Sequence, residues 1–205
     1  MLNSKARTLF AKIETVYKTP EVLAAADAIR TANLTIQPLN ATVLERNLDG
    51  PSFGSSGRIH TGAHVVVEFD VEMAASGTAG DAPKYGHLFT ACKMVETIVA
   101  STSVTYAPAS SGTASETMYF QLDGQRHALC GARGTWSMKF DSQNIPYIHF
   151  VFTGIYIDPL TVVDIAPTWL GWQTPRPVGF VHTPTVQLHG VASVFNTFSF
   201  DYGND

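Results

Sequence analysis

Val65-Val66-Val67-Glu68-Phe69-Asp70-Val71-Glu72 is the stretch that decides the fold class. Its odd-numbered positions are all apolar, and Glu68, Asp70 and Glu72 fill three of the four even ones. Side chains alternate between the two faces of an extended strand, whereas a helix would scatter these eight residues around its circumference. The period of two predicts a strand with one face toward a core and an acidic face turned away from it.

Working toward the C-terminus, Ala75 to Pro83 is rich in Gly, Ala and Ser and predicts a flexible loop. Tyr85, Leu88, Phe89, Cys92 and Val95 then recur with helical spacing, predicting one helix over about 84–95 with Asp81 as N-cap and Pro83 in its first turn. From Thr97 the pattern is β again: 97–107, then 117–122 and 125–130 joined by Asp123-Gly124, the signature of a two-residue type I′ hairpin. Arg133 to Phe140 places Trp136, Met138 and Phe140 on one face, and Tyr147 to Asp158 follows a turn at 142–146. Toward the N-terminus, 33–39 and 42–48 read as short strands, followed by the Gly/Ser-rich loop 49–57. Leu9, Ile13, Val16 and Tyr17 fit a short amphipathic helix, with an extended arm as the alternative. Pro167, Pro175, Pro177 and Pro184 mark a surface linker that also holds Trp169 and Trp172, and Phe198, Phe200 and Tyr202 alternate in a last strand-like segment with no partner strand after it. The expectation is a mainly β sandwich or barrel of two packed sheets with one flanking helix, extended loops and arms. Its parts are an N-terminal arm or short helix at 1–32, a β domain at 33–165, and a Pro-rich extension at 166–205 that could open a further domain.

Composition narrows the function. Of 205 residues 45% are hydrophobic and only 15% charged, against roughly a quarter charged in ordinary domains. Interface cores exclude charge, so this depletion suits a surface covered by copies of the same chain. The formal net charge of −4 leaves no basic footprint for holding nucleic acid. Cys92 and Cys130 have neither metal nor redox spacing and are read as reduced and buried. No signal peptide or membrane-spanning run is legible, which predicts a cytoplasmic site of synthesis.

No nucleophile elbow, phosphate loop or His-Glu-x-x-His occurs, so no catalytic residue and no cofactor is expected. His60 and His64 could face one side of a strand but lack a third ligand nearby, and His127 and His149 alternate with apolar neighbours. Glu68, Asp70 and Glu72 admit three readings: a solvated face, the wall of a channel, or paired carboxylates as in glycoside hydrolysis. Arg126, Arg133 and Lys139 are too few for strong DNA binding.

Several stretches resemble, as an ordered set, the tail tube proteins (major tail proteins) of long-tailed, flexible-tailed bacteriophages of siphovirus type. They are 9–17, Leu34 to Leu39 with Val43 to Leu48, Gly77 to Pro83 with Leu88 and Ala91-Cys92, Ser103 to Pro108, Leu122-Asp123-Gly124 to Thr135, and Ile145-Pro146 to Tyr156. Lys18 stands where a glycine is expected after the tyrosine. The resemblance implies a non-enzymatic structural protein of the virion tail, assembled in the host cytoplasm. Its copies would form rings, commonly hexameric, stacked into a channel for genome delivery. It also implies contact with the tape measure, tail terminator and distal tail proteins, and passage of double-stranded DNA without tight binding. Glu68, Asp70 and Glu72 then become candidate lumen-lining residues. The loops carrying Asp49, Gly50, Pro51, Ser52, Phe53 and Gly54, and Gly77, Thr78, Ala79, Gly80 and Asp81, become candidate inter-ring contacts. The alternative is a monomeric β-sandwich module of a virion that binds carbohydrate or a receptor, with Trp169 and Trp172 stacking on sugar.

Overall fold

A computed structural model describes residues 6–46, 48, 49, 57–112, 114–183 and 185–204. The chain is mainly β, with two packed sheets and one short helix. Its strands are β1 (Arg7–Ile13), β2 (Ala28–Ile29), β3 (Ala32–Glu45), β4 (Arg58–Glu72), β5 (Met94–Val99), β6 (Ser103–Pro108), β7 (Glu116–Leu122), β8 (Gln125–Asp141), β9 (Tyr147–Thr161), β10 (Gln187–Leu188), β11 (Val191–Ala192) and β12 (Thr197–Asp201), with α1 (Gly86–Ala91) between β4 and β5. The main sheet runs β2-β1-β7-β8-β9-β4-β3, and β12 adds to β8. β5 and β6 form a separate ribbon.

β8 joins the layers. It pairs with β9 from Gln125 to Lys139, with β7 over its first half, and with β12 over Ser137 to Asp141. Gly131, at φ +60°, sits where the β8–β9 register shifts between Cys130 and Arg133. A bulge there bends the strand, because an extra residue is set against one on the partner. Leu9, Met118, Phe120 and Leu129 on one side and Val67, Phe69, Phe150 and Phe152 on the other thereby close on one buried cluster, roofed by Leu88 and Phe89 of α1. Phe69 stacks on Phe150 and Phe152 at 5.6 and 6.0 Å between ring centroids. Each such side chain contributes about 1.5–3 kcal/mol by leaving water.

The alternation at 65–72 holds: Val65, Val67, Phe69 and Val71 are all buried, and the even positions are half-buried on the opposite face. The Asp123-Gly124 hairpin also forms, with both residues at positive φ. Four local expectations change. Residues 7–13 are a strand within the sheet, not a helix, because Leu9 and Ala11 enter the main cluster while Phe10 enters a second one with Leu23 and Ala28. A strand buried on both faces reads as a continuous apolar run without alternation. The helix spans six residues with Tyr85 at its N-cap, since Lys93 at φ +61° turns the chain into β5; Asp81 caps a turn outside it through its N–H to Thr78 O. Residues 97–107 are two strands, reversed around Ser101 at φ +55°, a turn without glycine. β3 runs unbroken through Pro38, which an edge strand tolerates by shifting register around Asn40. The segment at 197–201 is a strand as expected, and its partner is β8, which precedes it in the chain. No helix among the described residues is long and apolar enough to cross a membrane.

Candidate functional site

The acidic positions of β4 lie on the sheet face away from the core, and the register extends that face across five strands. Glu68 sits between Thr35 and Val151, Asp70 between Ala32 and His149, and Glu72 beside Tyr147. On β8, Thr135, Ser137 and Lys139 continue these rows, and β12 adds Asp201 opposite Ser137 and Ser199 opposite Lys139. Five carboxylates (Glu68, Asp70, Glu72, Asp141, Asp201) face two cations (Arg133, Lys139), a formal −3 with the histidine neutral. Both cations are engaged: Arg133 stacks on Tyr17 at 4.5 Å, and Lys139 pairs with Asp141 at 2.9 Å.

Asp70 is the most constrained acid. Asn33, held at φ +51°, donates its amide to Asp70 Oδ2 at 2.7 Å, and His149 Nδ1 lies 2.6 Å from Oδ1. Ser137 is the cross-strand neighbour of His149, so nucleophile, base and orienting acid stand in order. Ser137 Oγ makes no hydrogen bond among the described residues, and the backbone N–H groups around it are spent in the β ladders, leaving no oxyanion donors. Two cavities lie elsewhere, one of about 520 Å³ beside Phe140 and Phe198 and one of about 510 Å³ between Met73, Phe89 and Trp136. This geometry suits a charged wall better than a reaction centre.

The second surface is a projecting ribbon. From Gln37 on β3 and up to Ala63 on β4 nearly every residue is exposed, on both faces of the hairpin. Leu39, Val43, Leu44 and Ile59 are 43–52% exposed there, and Glu45 and Arg58 pair at 2.7 Å near the far end. β3 is the outermost strand of its sheet, so its outer edge is unpaired among the described residues. Asp49 is exposed beyond the ribbon; Gly50, Pro51, Ser52, Phe53 and Gly54 lie outside the described residues.

The expected loop at 75–83 is exposed over 77–79 and at Asp81 but anchored at one residue. Gly80 is buried at φ +80°, and a Cβ there would meet Ser101 N at 2.3 Å and Val99 O at 2.8 Å. Gly77, at φ +92°, abuts Gln173, and Ser76 Oγ donates to Thr78 O; Gly80 thus lies against the β5–β6 turn and Gly77 beside the C-terminal segment, while Gly77, Thr78, Ala79 and Asp81 are exposed.

His60 and His64 stand on the ribbon opposite Val43 and Asn40, and among the described residues no three His, Cys, Asp or Glu side chains gather as metal ligands. His127 packs against Phe120, where burial lowers its pKa, and Arg126 stacks on Tyr119 at 4.7 Å. Burial raises both cysteine pKa values, and both thiols are free. Trp172 is partly buried against Tyr85, while Trp169 is exposed near Arg30.

Sequence reasoning missed Glu14. Its carboxylate accepts from Thr117 Oγ1 (2.9 Å) and Gly131 N (2.6 Å) at Oε1, and from Ser115 Oγ (2.6 Å) and Lys18 N (3.0 Å) at Oε2. It binds the end of β1 to β7 and to the β8 bulge. Glu116, wholly buried and 2.7 Å from His87 Nδ1, was missed as well. A lone acid in an apolar context was the only available signal for either. No model of a known protein family matches the chain, and comparison with curated proteins yields no match.

Proposed function

We propose that this chain is a structural subunit that assembles with copies of itself into stacked rings, as the tail tube of a long-tailed phage does. The observation that carries the reading is the β3–β4 ribbon, exposed on both faces with Leu39, Val43, Leu44 and Ile59 uncovered, and continuous with a sheet edge that is unpaired among the described residues. A long free edge is a template for another strand, and ring closure is one way natural proteins remove that liability. Head-to-tail closure of the layer β12-β8-β9-β4-β3 uses both of its edges and removes the liability. The ribbon, rising beyond the core, then reaches the next ring.

The acidic face is the lumen wall in this arrangement. Six copies at −3 each carry a formal charge of about −18 per ring, which repels passing DNA within about 8 Å at physiological salt. A wall that bound phosphate would hold the genome back; one that repels it lets the genome slide. The tape measure, terminator and distal tail proteins are the neighbours this role demands.

Light scattering combined with negative-stain microscopy tests the reading. Purified protein at rising concentration should form rings or filaments of constant width, and a Leu44→Glu/Ile59→Glu variant should keep the circular dichroism of the wild type but stay monomeric. A wild-type monomer at every concentration refutes assembly and leaves the binding-module alternative. Rings that display Glu68 and Glu72 on their outer surface refute the lumen assignment alone.

A further inference from the structure

The last part of the chain is held in two separate ways. Up to Trp172 it is fastened to the body: Ile165 packs on the Phe10 cluster and donates its N–H to Gln121 Oε1, Thr168 N bonds Ala25 O, and Trp172 lies against Tyr85. Residues 173–177, Gln-Thr-Pro-Arg-Pro, make no backbone hydrogen bond among the described residues. Beyond them, 178–204 forms a lobe with its own small ribbon, β10–β11, and β12.

That lobe is seated on one strip of the body. Val178 exchanges hydrogen bonds with Gln143 and Asn144 in the β8–β9 turn, Asn196 O accepts from Ser142 N, and β12 pairs with 137–141 of β8. Tyr202 stacks on Trp136 at 5.6 Å, and Asn204 donates to Cys92 O and Gly134 O. All five residues of β12 are exposed, Phe180, Val181 and Val194 are more than 80% exposed, and an apolar groove of about 520 Å³ opens between the lobe and Phe140.

We propose that this lobe is an exchange unit: on assembly β12 leaves its own β8 and takes the same place on β8 of a neighbouring copy, with 173–177 as the hinge. The partner surface is already specified, because the seat and the strand belong to the same sequence. Every contact broken within one chain is remade between two, so local concentration decides which is populated. Five residues with two prolines favour an extended spacer of about 15 Å over a collapsed loop. The lobe buries little of its own apolar surface, so it loses little by moving as a body. The proposal rests on the self-assembly reading but not on the identity of the assembly.

A Lys139→Cys/Ser199→Cys variant tests it. The two positions are direct partners in the antiparallel β8–β12 pair, within disulfide reach, and the native Cys92 and Cys130 are buried. Protein is concentrated under reducing conditions, scored for assembly by light scattering and microscopy, then oxidised and run on a non-reducing denaturing gel. Exchange predicts a ladder of chains linked through 139 and 199 in assembled material, and linked monomers when dilute protein is oxidised first. Assembled particles that yield only linked monomers overturn the exchange and leave self-assembly standing. Protein that stays monomeric overturns both, and failure to form the disulfide in either state overturns the β8–β12 register on which the exchange depends.

Discussion

Replacing Glu14 by glutamine changes one heavy atom and tests the join between the two halves of the sheet. Each carboxylate oxygen receives one hydroxyl and one backbone N–H: Thr117 and Gly131 at Oε1, Ser115 and Lys18 at Oε2. Whichever oxygen becomes the amide nitrogen, the hydroxyl facing it can rotate to accept, but the backbone N–H cannot. One N–H, buried at Gly131 or part-buried at Lys18, is left unpaired at a cost of about 1–3 kcal/mol. The bonds that remain lose charge assistance, about half their strength, which removes about 1 kcal/mol each. The sum is about 3–5 kcal/mol, and in a chain of this size each kcal/mol lowers Tm by about 2–4 °C. Thermal melts followed by circular dichroism should show a fall of about 6–20 °C, with faster hydrogen exchange at the Gly131 and Lys18 amides. A fall below about 2 °C, with exchange at both amides unchanged, refutes the assignment of Glu14 as the acceptor for these donors.

Lys18 holds φ +67°, a conformation that costs an L-residue about 1–2 kcal/mol, so Lys18→Gly should raise Tm by a few degrees; a lowered Tm means the Tyr17–Lys18 ring contact outweighs the backbone strain. Burial disfavours the His87 imidazolium, but Glu116, helped by Asp27 and Glu96, outweighs it and raises the pKa. That stabilisation is complete below the unfolded value of about 6.5 and fades as pH rises through the raised folded value, so Glu116→Gln should lose more stability at pH 6 than at pH 9; equal losses in urea titrations at the two pH values contradict this. Gly80→Ala should lose about 2–4 kcal/mol in urea unfolding through its collision with Ser101, whereas Gly112→Ala, equally left-handed but in open space, should lose only about 1 kcal/mol.

The parts of the fold legible in the sequence are those where one face is buried and the other wet. Val65 to Glu72 alternates because β4 has the core on one side only, and Asp123-Gly124 announces its turn because positive φ selects those residues. Residues 7–13 were illegible as a strand because both faces are covered, and the Ser101 turn because no glycine marks it. The candidate wall was half legible. Glu68, Asp70 and Glu72 share a strand, but His149 and Asp201 join them only through register, across 79 residues in the Asp70–His149 contact. Glu14 depends on partners up to 117 residues away, and no local spacing encodes such a bond.

The position of β1 between β2 and β7 has a consequence for the chain as it is made. Its partner strand and the Gly131 amide that Glu14 receives arrive more than 100 residues later. At about 5–20 residues per second, synthesis takes on the order of 6–23 s to cover that gap. For that time Leu9-Phe10-Ala11 leaves the ribosome as an apolar strand without a sheet, while the β3–β4 hairpin can close as soon as its own residues emerge. β1 is thus made long before it finds its place, and nascent chains crowded on one message are exposed to each other through that apolar strand.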